Sequence, residues 1–472
     1  MRTQHTKSPR RRRSSAARSR RTRRSVRRRR PRQQVPQRTA AEQQADAVRV
    51  ERQLADVLSP KVVDRLRDET GYNPRQRKAT ALCVLLIVVQ AFLMGQALSF
   101  ARLRALFIAR FENIRPRAFQ LRFKSAAAVT FFRAAFAEAV HAVVSAAEIR
   151  LEGALASFAD VQVYDGTAVR VPPRGKQDWP ASHDDRAGAK LLLGYSLKTG
   201  VVERAAVAAE TTGELPLWRK LVPTLERNVL YLLDLAYFDR EIFEHAQSAG
   251  AHVLLRLKSK SKLWVVGHQT RQGYVGLPRW SLATYLAGAA SARGTTYDLD
   301  VIWGKGRHAV RLRLVGVSLG GRAGRRFYLT TVPRSRLSVT AVVEAYRLRW
   351  LIELLNREIK QEADMGRCDT ADPHAVAALA YGALIGHVVL RSLRICAALR
   401  AHVPLTELRP LASLHLVRAF AVAAIDVLAT HDLTAWHRLV ESIAPLLVAV
   451  AHEATPSRSR PRIAFDLGAL GG

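Results

Sequence analysis

Between residues 158 and 258 the sequence follows one order of secondary structure: three strand patterns, a helix, a strand, a helix and a strand. Thr199 and Gly200 are expected to join the second and third strands as a hairpin, and the fourth strand is a continuous apolar run of the buried type. Helices are predicted from Glu214 to Arg227 and from Arg240 to Ser248. The five strand patterns are VQVYD (161–165), LLLGYSLK (191–198), VVERAAVAAE (201–210), NVLYLLD (228–234) and AHVLLRLK (251–258).

Charge identifies the expected partner. The chain has 75 Lys and Arg against 39 Asp and Glu, a formal net charge of +36, so a polyanion and by default nucleic acid is expected. Residues 1–40 contain 16 Arg, one Lys and no acidic residue, which leaves 36 − 17 = +19 for the rest. Residues 1–45 are therefore predicted to be a disordered arginine-rich tail, either a phosphate-binding arm or a dispensable leader.

Two apolar stretches call for a test as membrane spans: 79–98 is about long enough to cross a bilayer, and 375–390 is short. Gln90 and Gln96 interrupt the first and His387 lies in the second, so both are interpreted as buried helices of a soluble protein. The three cysteines lie far apart and fit neither a disulfide framework nor a zinc site, which favours a reducing cytoplasm.

The strand order is that of an α/β protein with a ribonuclease-H-like core, in which the first and fourth strands are neighbours. Shorter glycine-punctuated strand patterns follow the core, among them YDLDVIW (297–303), and the chain from Ser338 onward is helical. The predicted organisation is a helical DNA-binding region (46–150), the first part of the core (155–258), a β-rich insertion (259–332), completion of the core (333–370) and a helical C-terminal region (371–455).

Two aspartates follow buried strand patterns. Asp165 is expected to end the first strand and Asp234 the fourth. Carboxylates at the carboxyl ends of neighbouring parallel strands meet at one edge of the sheet, where open α/β sheets bind their ligands. A third carboxylate from a later helix would complete a cage for two divalent cations that assist phosphoryl transfer.

The segment YRLRWLIELLNREIK (346–360) supplies that third carboxylate, Glu353. On one continuous helix, the spacing of Tyr346, Arg349, Glu353 and Lys360 places all four side chains on the same face, and an apolar stripe occupies the opposite side. Periodicity alone favours an ordinary amphipathic helix with an Arg349–Glu353 pair. The two aspartates shift the interpretation toward one wall of an active site.

The blocks YDGT, LLDLAYF and YRLRWLIELLNREIK, in this order, resemble the three characteristic blocks of DDE transposases of the insertion-sequence type, in the branch with a Tyr-Arg-Glu-Lys signature. The resemblance covers roughly residues 155–365, and Ala236 departs from the glycine usual in the second block. It implies that Asp165, Asp234 and Glu353 bind two Mg²⁺ ions, with Mn²⁺ as a substitute, and catalyse cleavage at transposon ends and strand transfer into target DNA.

The same resemblance implies that Tyr346, Arg349 and Lys360 hold DNA phosphates, and it makes Trp303 a candidate for stacking on a flipped base. An ordinary cross-strand aromatic is the competing interpretation of Trp303. It further implies a homodimer in the synaptic complex, no membrane association, and a bacterial, cytoplasmic, nucleoid-associated location. Rival residues without a supporting pattern are Asp184, Asp185, Asp239, His183, His268 and His387.

Two alternatives remain open from the sequence. The chain could be a ribonuclease-H-like, structure-selective nuclease that cuts without joining. It could instead be a DNA-binding protein derived from a transposase and lacking catalysis, although all three carboxylates are present.

Overall fold

The computed structural model describes residues 39–73, 78–146, 151, 153–182, 186–288, 295–318, 324–357, 359–360, 366–403, 405 and 408–452. The arginine-rich tail up to residue 38, and the rival residues His183, Asp184 and Asp185, lie outside these ranges.

One mixed sheet of ten strands organises the fold. Its spatial order is β3-β2-β1-β4-β5-β10-β9-β8-β6-β7. The strands are β1 (Asp160–Val171), β2 (Ala187–Ser196), β3 (Val202–Ala209), β4 (Val229–Leu233), β5 (His252–Arg256), β6 (Leu263–Thr270), β7 (Gly273–Ser281), β8 (Thr296–Trp303), β9 (Val310–Ser318) and β10 (Arg325–Thr330).

Strands β1–β5 form what we call the inner half of the sheet. β1, β2 and β3 pair antiparallel, and β4 and β5 continue from β1 in parallel. The hairpin across Thr199 and Gly200 is present, and β1 and β4 are neighbours, so these two predictions are confirmed.

Strands β6–β10 form the outer half. β10 pairs antiparallel with β5, with Leu329 opposite Leu255. The region predicted as a β-rich insertion therefore extends the same sheet outward and ends at β7, the last strand in the order.

The sheet separates two layers because side chains alternate along each strand. In β1, Val161 and Val163 pack into a core shared with most of the helices, whereas Tyr164 packs on the other side with Tyr231 and Trp218. The second side is covered by α7 (Glu214–Leu221) and α8 (Arg240–Ala249), and α9 (Leu282–Gly288) lies against the outer half.

In the larger helical layer, α12 (Pro373–Ala401) packs against α1 (Ala40–Val57), α3 (Ala81–Leu93), α6 (Ala126–Ala146) and α14 (Leu433–Ala451). The layer therefore combines both ends of the described chain. Helix α1 is not predicted from the sequence, and it includes residues 40–45 of the expected tail. The helices are α1 (Ala40–Val57), α2 (Pro60–Thr70), α3 (Ala81–Leu93), α4 (Phe100–Arg110), α5 (Pro116–Gln120), α6 (Ala126–Ala146), α10 (Val339–Arg347), α11 (Trp350–Arg357), α12 (Pro373–Ala401), α13 (Pro410–Thr430) and α14 (Leu433–Ala451).

The pair Ser59-Pro60 predicts the start of a helix and Gly71 its end, and both ends of α2 are confirmed. Ser59 accepts a hydrogen bond from Val62 N, and Gly71 ends α2 in the left-handed region. For α3 the cap is Thr80, whose hydroxyl accepts from Cys83 N. Asn73 has a φ of 49° and its side chain donates to Ala79 O, and residues 74–77 lie outside the described ranges.

Among the described residues, four helices are long and apolar enough to cross a membrane by length and composition alone. Their most apolar windows differ in burial: 94% for α12 and 50% for α6, but 39% and 28% for α13 and α14. The stretch 375–390 lies within α12 and is packed inside the protein, as predicted.

Candidate active site

The first two predicted carboxylates lie side by side on the inner half. In the parallel pair, Val163 lies opposite Leu232, and two residues further along each chain come Asp165 and Asp234. Side chains two residues apart point to the same face of a strand, so both carboxylates are directed to the helical layer.

The prediction that Asp165 ends β1 is wrong. β1 continues to Val171 because β2 pairs with it from Gln162 to Val171. β4 does end directly before Asp234, whose Oδ1 accepts a 2.7 Å hydrogen bond from Ala236 N. Asp165 is therefore fixed within a strand, and Asp234 is fixed by capping a short turn.

The edge of β1 that faces away from β2 is open beside Asp165. Parallel pairing with β4 stops at Val163. Further along, Arg170 N donates to Gly366 O at 3.0 Å and Cys368 N donates to Arg170 O at 2.8 Å. Within the described residues, the edge between these two partners carries no strand, and Asp165 lies in that gap.

The third block does not form one continuous helix. Helix α10 ends at Arg347 and α11 begins at Trp350, with a turn at Leu348 and Arg349. Leu348 N bonds to Ala345 O, and Arg349 N bonds to Tyr346 O, in the i to i−3 pattern of a tighter turn. The prediction that one continuous helix carries Tyr346, Arg349, Glu353 and Lys360 is therefore wrong. Contacts and charges nevertheless relate these four side chains to the same group of carboxylates.

Glu353 lies in the first turn of α11 and forms the predicted ion pair with Arg349. Asn356, three residues later, donates from Nδ2 to Asp165 Oδ2 at 2.8 Å. This bond brings α11 directly onto β1 at the catalytic candidate. Asn356 is not among the residues predicted from the sequence, although residues three apart on a helix are neighbours, and its spacing from Glu353 could have identified it.

Tyr346 and Lys360 border the same carboxylates. The Tyr346 ring packs on Tyr328 with centroids 4.9 Å apart, and burial raises the pKa of its hydroxyl, with the negative charge of Asp234 acting in the same direction. Burial lowers the pKa of Lys360, and the nearby charges of Asp165 and Glu210 oppose that change. Both residues are thus within electrostatic reach of an aspartate of the site.

Glu214 is a fourth carboxylate beside Asp165 and Asp234. The sequence predicted it as the start of a helix and not as a residue of the site. It is the first residue of α7 and approaches from the other face of the sheet, across Gly166. A Cβ at Gly166 would lie 2.6 Å from Glu214 Oε1, so glycine provides the space for this approach. Burial raises the pKa of Glu214, and the charge of Asp234 raises it further.

The electrostatics of Asp165 reflect this crowding. Its pKa is raised to about 6, chiefly by burial, with Glu214, Asp234 and Glu353 acting in the same direction and Arg349 opposing them. Like charges at short range disfavour the ionised form of each other. The site therefore has an excess of negative charge that a cation would offset.

The donor chemistry fits Mg²⁺, which prefers carboxylate oxygens. The observation that supports the fit is the raised pKa of Asp165, to which three neighbouring carboxylates contribute. Within the described residues, however, no three His, Cys, Asp or Glu side chains form a group that could already hold a metal ion. Glu353 is turned to Arg349 and Asp165 to Asn356.

Trp303 lies away from these carboxylates in the sheet and is half-buried at the end of β8, opposite Leu263 and Val310. Its ring packs against Phe238 with centroids 4.6 Å apart and against Phe243 at 6.0 Å. Phe238 belongs to the LLDLAYF block, so Trp303 borders the segment that follows Asp234.

The rival residues within the described ranges are Asp239, His268 and His387. Asp239 caps α8 by accepting from Glu241 N and pairs with Arg219. His268 Nδ1 shares a 2.7 Å hydrogen bond with the Tyr285 hydroxyl. His387 is fully buried within α12, and burial lowers its pKa well below the ordinary value. None of these three lies in the carboxylate group.

Comparison with known proteins gives an independent result. Residues 156–389 match the family model described as a transposase DDE domain. Asp165, Asp234 and Glu353 all lie within the matched segment. The match covers just under half of the chain, and the relatives below are described as insertion-sequence transposases.

The relatives are bacterial transposases. The chain is 23% identical over 268 residues to the transposase for insertion sequence element IS231F of Bacillus thuringiensis subsp. israelensis, which covers 49% of this chain and 56% of that one. It is 22% identical over 364 residues to the IS231D transposase of subsp. finitimus, covering 70% and 76%. For the IS231F and IS231B proteins, the match spans about half of the relative's length, 56% and 45%.

Among solved structures, a piggyBac transposase synaptic complex with hairpin DNA aligns with 11% identity over 85% of each chain. The TM-score is 0.40, which is too low to support a conclusion about this chain.

Proposed function

We propose that this protein is a DNA transposase that cleaves DNA at transposon ends and joins those ends to target DNA, with Asp165, Asp234 and Glu353 as the catalytic carboxylates. The observation that carries the proposal is the parallel register that sets Asp165 beside Asp234 on the face where Asn356 of α11 bonds Asp165. The family match over residues 156–389 supports it.

The proposed cofactor is a pair of Mg²⁺ ions, with Mn²⁺ as a substitute, held by Asp165, Asp234 and Glu353. Bound divalent cations activate the attacking oxygen and stabilise the leaving oxygen in phosphoryl transfer. The protein's own contribution is to fix the oxygen donors: β2 fixes β1 around Asp165, and the Ala236 amide fixes Asp234.

Tyr346, Arg349 and Lys360 are proposed to hold DNA phosphates beside the carboxylates. A guanidinium can bond two phosphate oxygens at once, a lysine supplies a compact charge, and a tyrosine supplies a hydroxyl. Arg349 is bound to Glu353 in the structure. If Glu353 held a cation, the Arg349 guanidinium would be free to bind phosphate.

The proposed architecture follows the same logic. Strands β1–β5 are inferred to be a ribonuclease-H-like core (155–258, completed by 333–370), and 259–332 an insertion that lengthens its sheet. Residues 46–150 are proposed to bind DNA and residues 371–455 to form a helical C-terminal region. Trp303 is retained as a candidate base-stacking residue beside the LLDLAYF block.

Assembly and location are proposed on the family's account. Two transposon ends must be brought together, so we infer a homodimer in the synaptic complex. The substrate is chromosomal DNA, which places the protein in the bacterial cytoplasm with the nucleoid.

The test measures Mg²⁺-dependent cutting and joining of DNA that carries the gene's own flanking sequences. Glu353→Gln should abolish both steps while preserving DNA binding. Glu344→Gln is the matched control, because Glu344 is also paired with an arginine, Arg347, but lies on α10 away from Asp165. Cutting by Glu353→Gln at the wild-type rate would disprove the catalytic assignment.

The same assay separates the alternatives. Cutting without joining identifies a structure-selective nuclease. DNA binding by the wild type with neither reaction identifies a DNA-binding protein derived from a transposase.

A further inference from the structure

The contact between α11 and β1 contains a buried amide, that of Asn356. This side chain is 8% exposed, and its Nδ2 donates to Asp165 Oδ2 at 2.8 Å. Its Oδ1 is also buried and has no hydrogen-bond partner among the described residues. A buried amide oxygen without a donor costs about 1–3 kcal/mol of stability, so the oxygen indicates a role beyond holding the fold together.

Apolar residues already pack α11 onto the protein. Ile352 and Leu355 are buried on this helix and belong to the core shared with most of the helices. Leucine has a shape similar to that of asparagine, so Asn356→Leu would extend this packing and leave no polar atom unpaired. The helix therefore does not need an amide at position 356 in order to lie on β1.

The hydrogen bond from Asn356 fixes Asp165 without neutralising it. Arg349 brings a positive charge to Glu353, whereas the amide that Asp165 accepts from is neutral. The bond engages only Oδ2 and leaves the negative charge of Asp165 available to a cation. Hydrogen-bonding partners of this kind orient the carboxylates that bind metal ions, and their loss commonly weakens metal binding by roughly 10- to 100-fold.

We propose that Asn356 is a positioning residue of the cation site, in which Nδ2 orients the Asp165 carboxylate and Oδ1 accepts a hydrogen bond from the hydration shell of a bound divalent cation. This inference rests on the proposed function and adds to it a residue that acts through Asp165. Mg²⁺ loses its waters reluctantly and usually keeps several of them when a protein binds it. The hydration shell is therefore a source of donors for an oxygen that the protein leaves unpaired.

The first experiment measures the affinity for Mn²⁺, which does not depend on turnover. Electron paramagnetic resonance follows free Mn²⁺ as it is titrated into a complex of the full chain with pre-cut DNA ends that lack 3′-hydroxyl groups, so that no joining occurs. Asn356→Leu should weaken Mn²⁺ binding about tenfold. Gln247→Leu is the matched control and should change it less than about twofold, because the Gln247 amide lies on α8, across the sheet, and donates to Arg311 O.

The second experiment separates a positioning role from a purely structural one by measuring the cleavage rate against Mg²⁺ concentration. Asn356→Leu should raise the Mg²⁺ concentration for half-maximal cleavage about tenfold and recover most of the wild-type rate at saturating Mg²⁺. A residue that only held α11 in place would lower the rate at every Mg²⁺ concentration without changing the half-maximal concentration. That pattern, or Mn²⁺ affinity equal to that of Gln247→Leu, would overturn the proposal.

A stability measurement accompanies both experiments. Chemical denaturation of Asn356→Leu should give a free energy of unfolding equal to or above that of the wild type, because an unpaired buried oxygen is removed. Asn356→Ala removes the same polar atoms without adding a branched side chain, and it must weaken Mn²⁺ binding as well. If the leucine substitution prevents folding, the alanine substitution alone decides the proposal.

The catalytic proposal is scored separately. Glu353→Gln should lose Mn²⁺ binding and cleavage together. If it does, while Asn356→Leu binds Mn²⁺ as Gln247→Leu does, the inference about Asn356 fails alone. If the wild-type complex binds no Mn²⁺, the cofactor proposal fails and this inference fails with it.

Discussion

The carboxylates of the inner and outer halves of the sheet differ in whether arginine side chains neutralise them. In the inner half, Asp165 and Asp234 form no ion pair within the described residues, and their like charges act on each other. In the outer half, Asp298 is buried but bonded by Arg313 at 2.8 Å and 2.9 Å, and Arg334 bonds both Asp298 and Asp300. Buried carboxylates that are neutralised stabilise structure, whereas a crowded and unneutralised group indicates a place for a cation.

The largest expected effect removes the chemistry of the inner half. Asp165→Asn keeps the size of the side chain and an oxygen that can accept from Asn356, but it removes a charge. Cleavage in Mg²⁺ should fall about a thousandfold or more, while DNA binding in EDTA stays the same. Single-turnover cleavage and anisotropy check the two parts, and cleavage near the wild-type rate would remove Asp165 from the catalytic set.

The next effect concerns stability in the outer half. Arg313→Ala leaves Asp298 buried without its main partner and also removes a 2.7 Å bond to Leu337 O. The free energy of unfolding should fall by about 3 kcal/mol or more. Chemical denaturation measures this loss. Arg311→Ala, an exposed arginine on the same strand, is the control, and equal stability of both variants would contradict the proposed structural role.

A smaller effect on stability is expected from Asp160, at the start of β1. Asp160 is buried, accepts hydrogen bonds from Val161 N, Ser196 Oγ and Lys198 N, and burial raises its pKa to about 6 from an ordinary 3.8. A carboxyl whose pKa is higher in the folded state binds its proton more tightly there. Its contribution is therefore full below about pH 4 and is lost as pH rises through about 6, by at most about 3 kcal/mol.

Asp160→Asn should remove this pH dependence. The difference in unfolding free energy between wild type and variant, measured from pH 4 to pH 7, should change in favour of the variant as pH rises. A difference that stays constant over this interval would show that Asp160 does not titrate there.

The sequence was sufficient for the parts of the fold that rest on local pattern. Apolar runs located β4 and β5, turn residues located the β2–β3 hairpin, and Asp234 was correctly placed directly after β4. The Arg349–Glu353 pair followed from helical spacing and is present.

The remaining features depend on tertiary contacts. β1 continues past Asp165 because β2 pairs with it as far as Val171, which the local residues Gly166 and Thr167 do not predict. The turn between α10 and α11 contains neither proline nor glycine. Glu214 enters only because α7 packs across Gly166, and Asn356 only because α11 lies on β1.

The continuation of β1 past Asp165 holds this residue of the site in a fixed position. Ten consecutive residues of β1 are aligned with β2, and Asp165 lies opposite Leu193 within that span. Tyr164 and Gly194 reinforce the alignment, since a Cβ at Gly194 would lie 2.4 Å from the Tyr164 ring. Any movement that brings the carboxylates around a substrate therefore occurs in the turn after β4 and in α11. Strand β1 and Asp165 keep their positions during that movement.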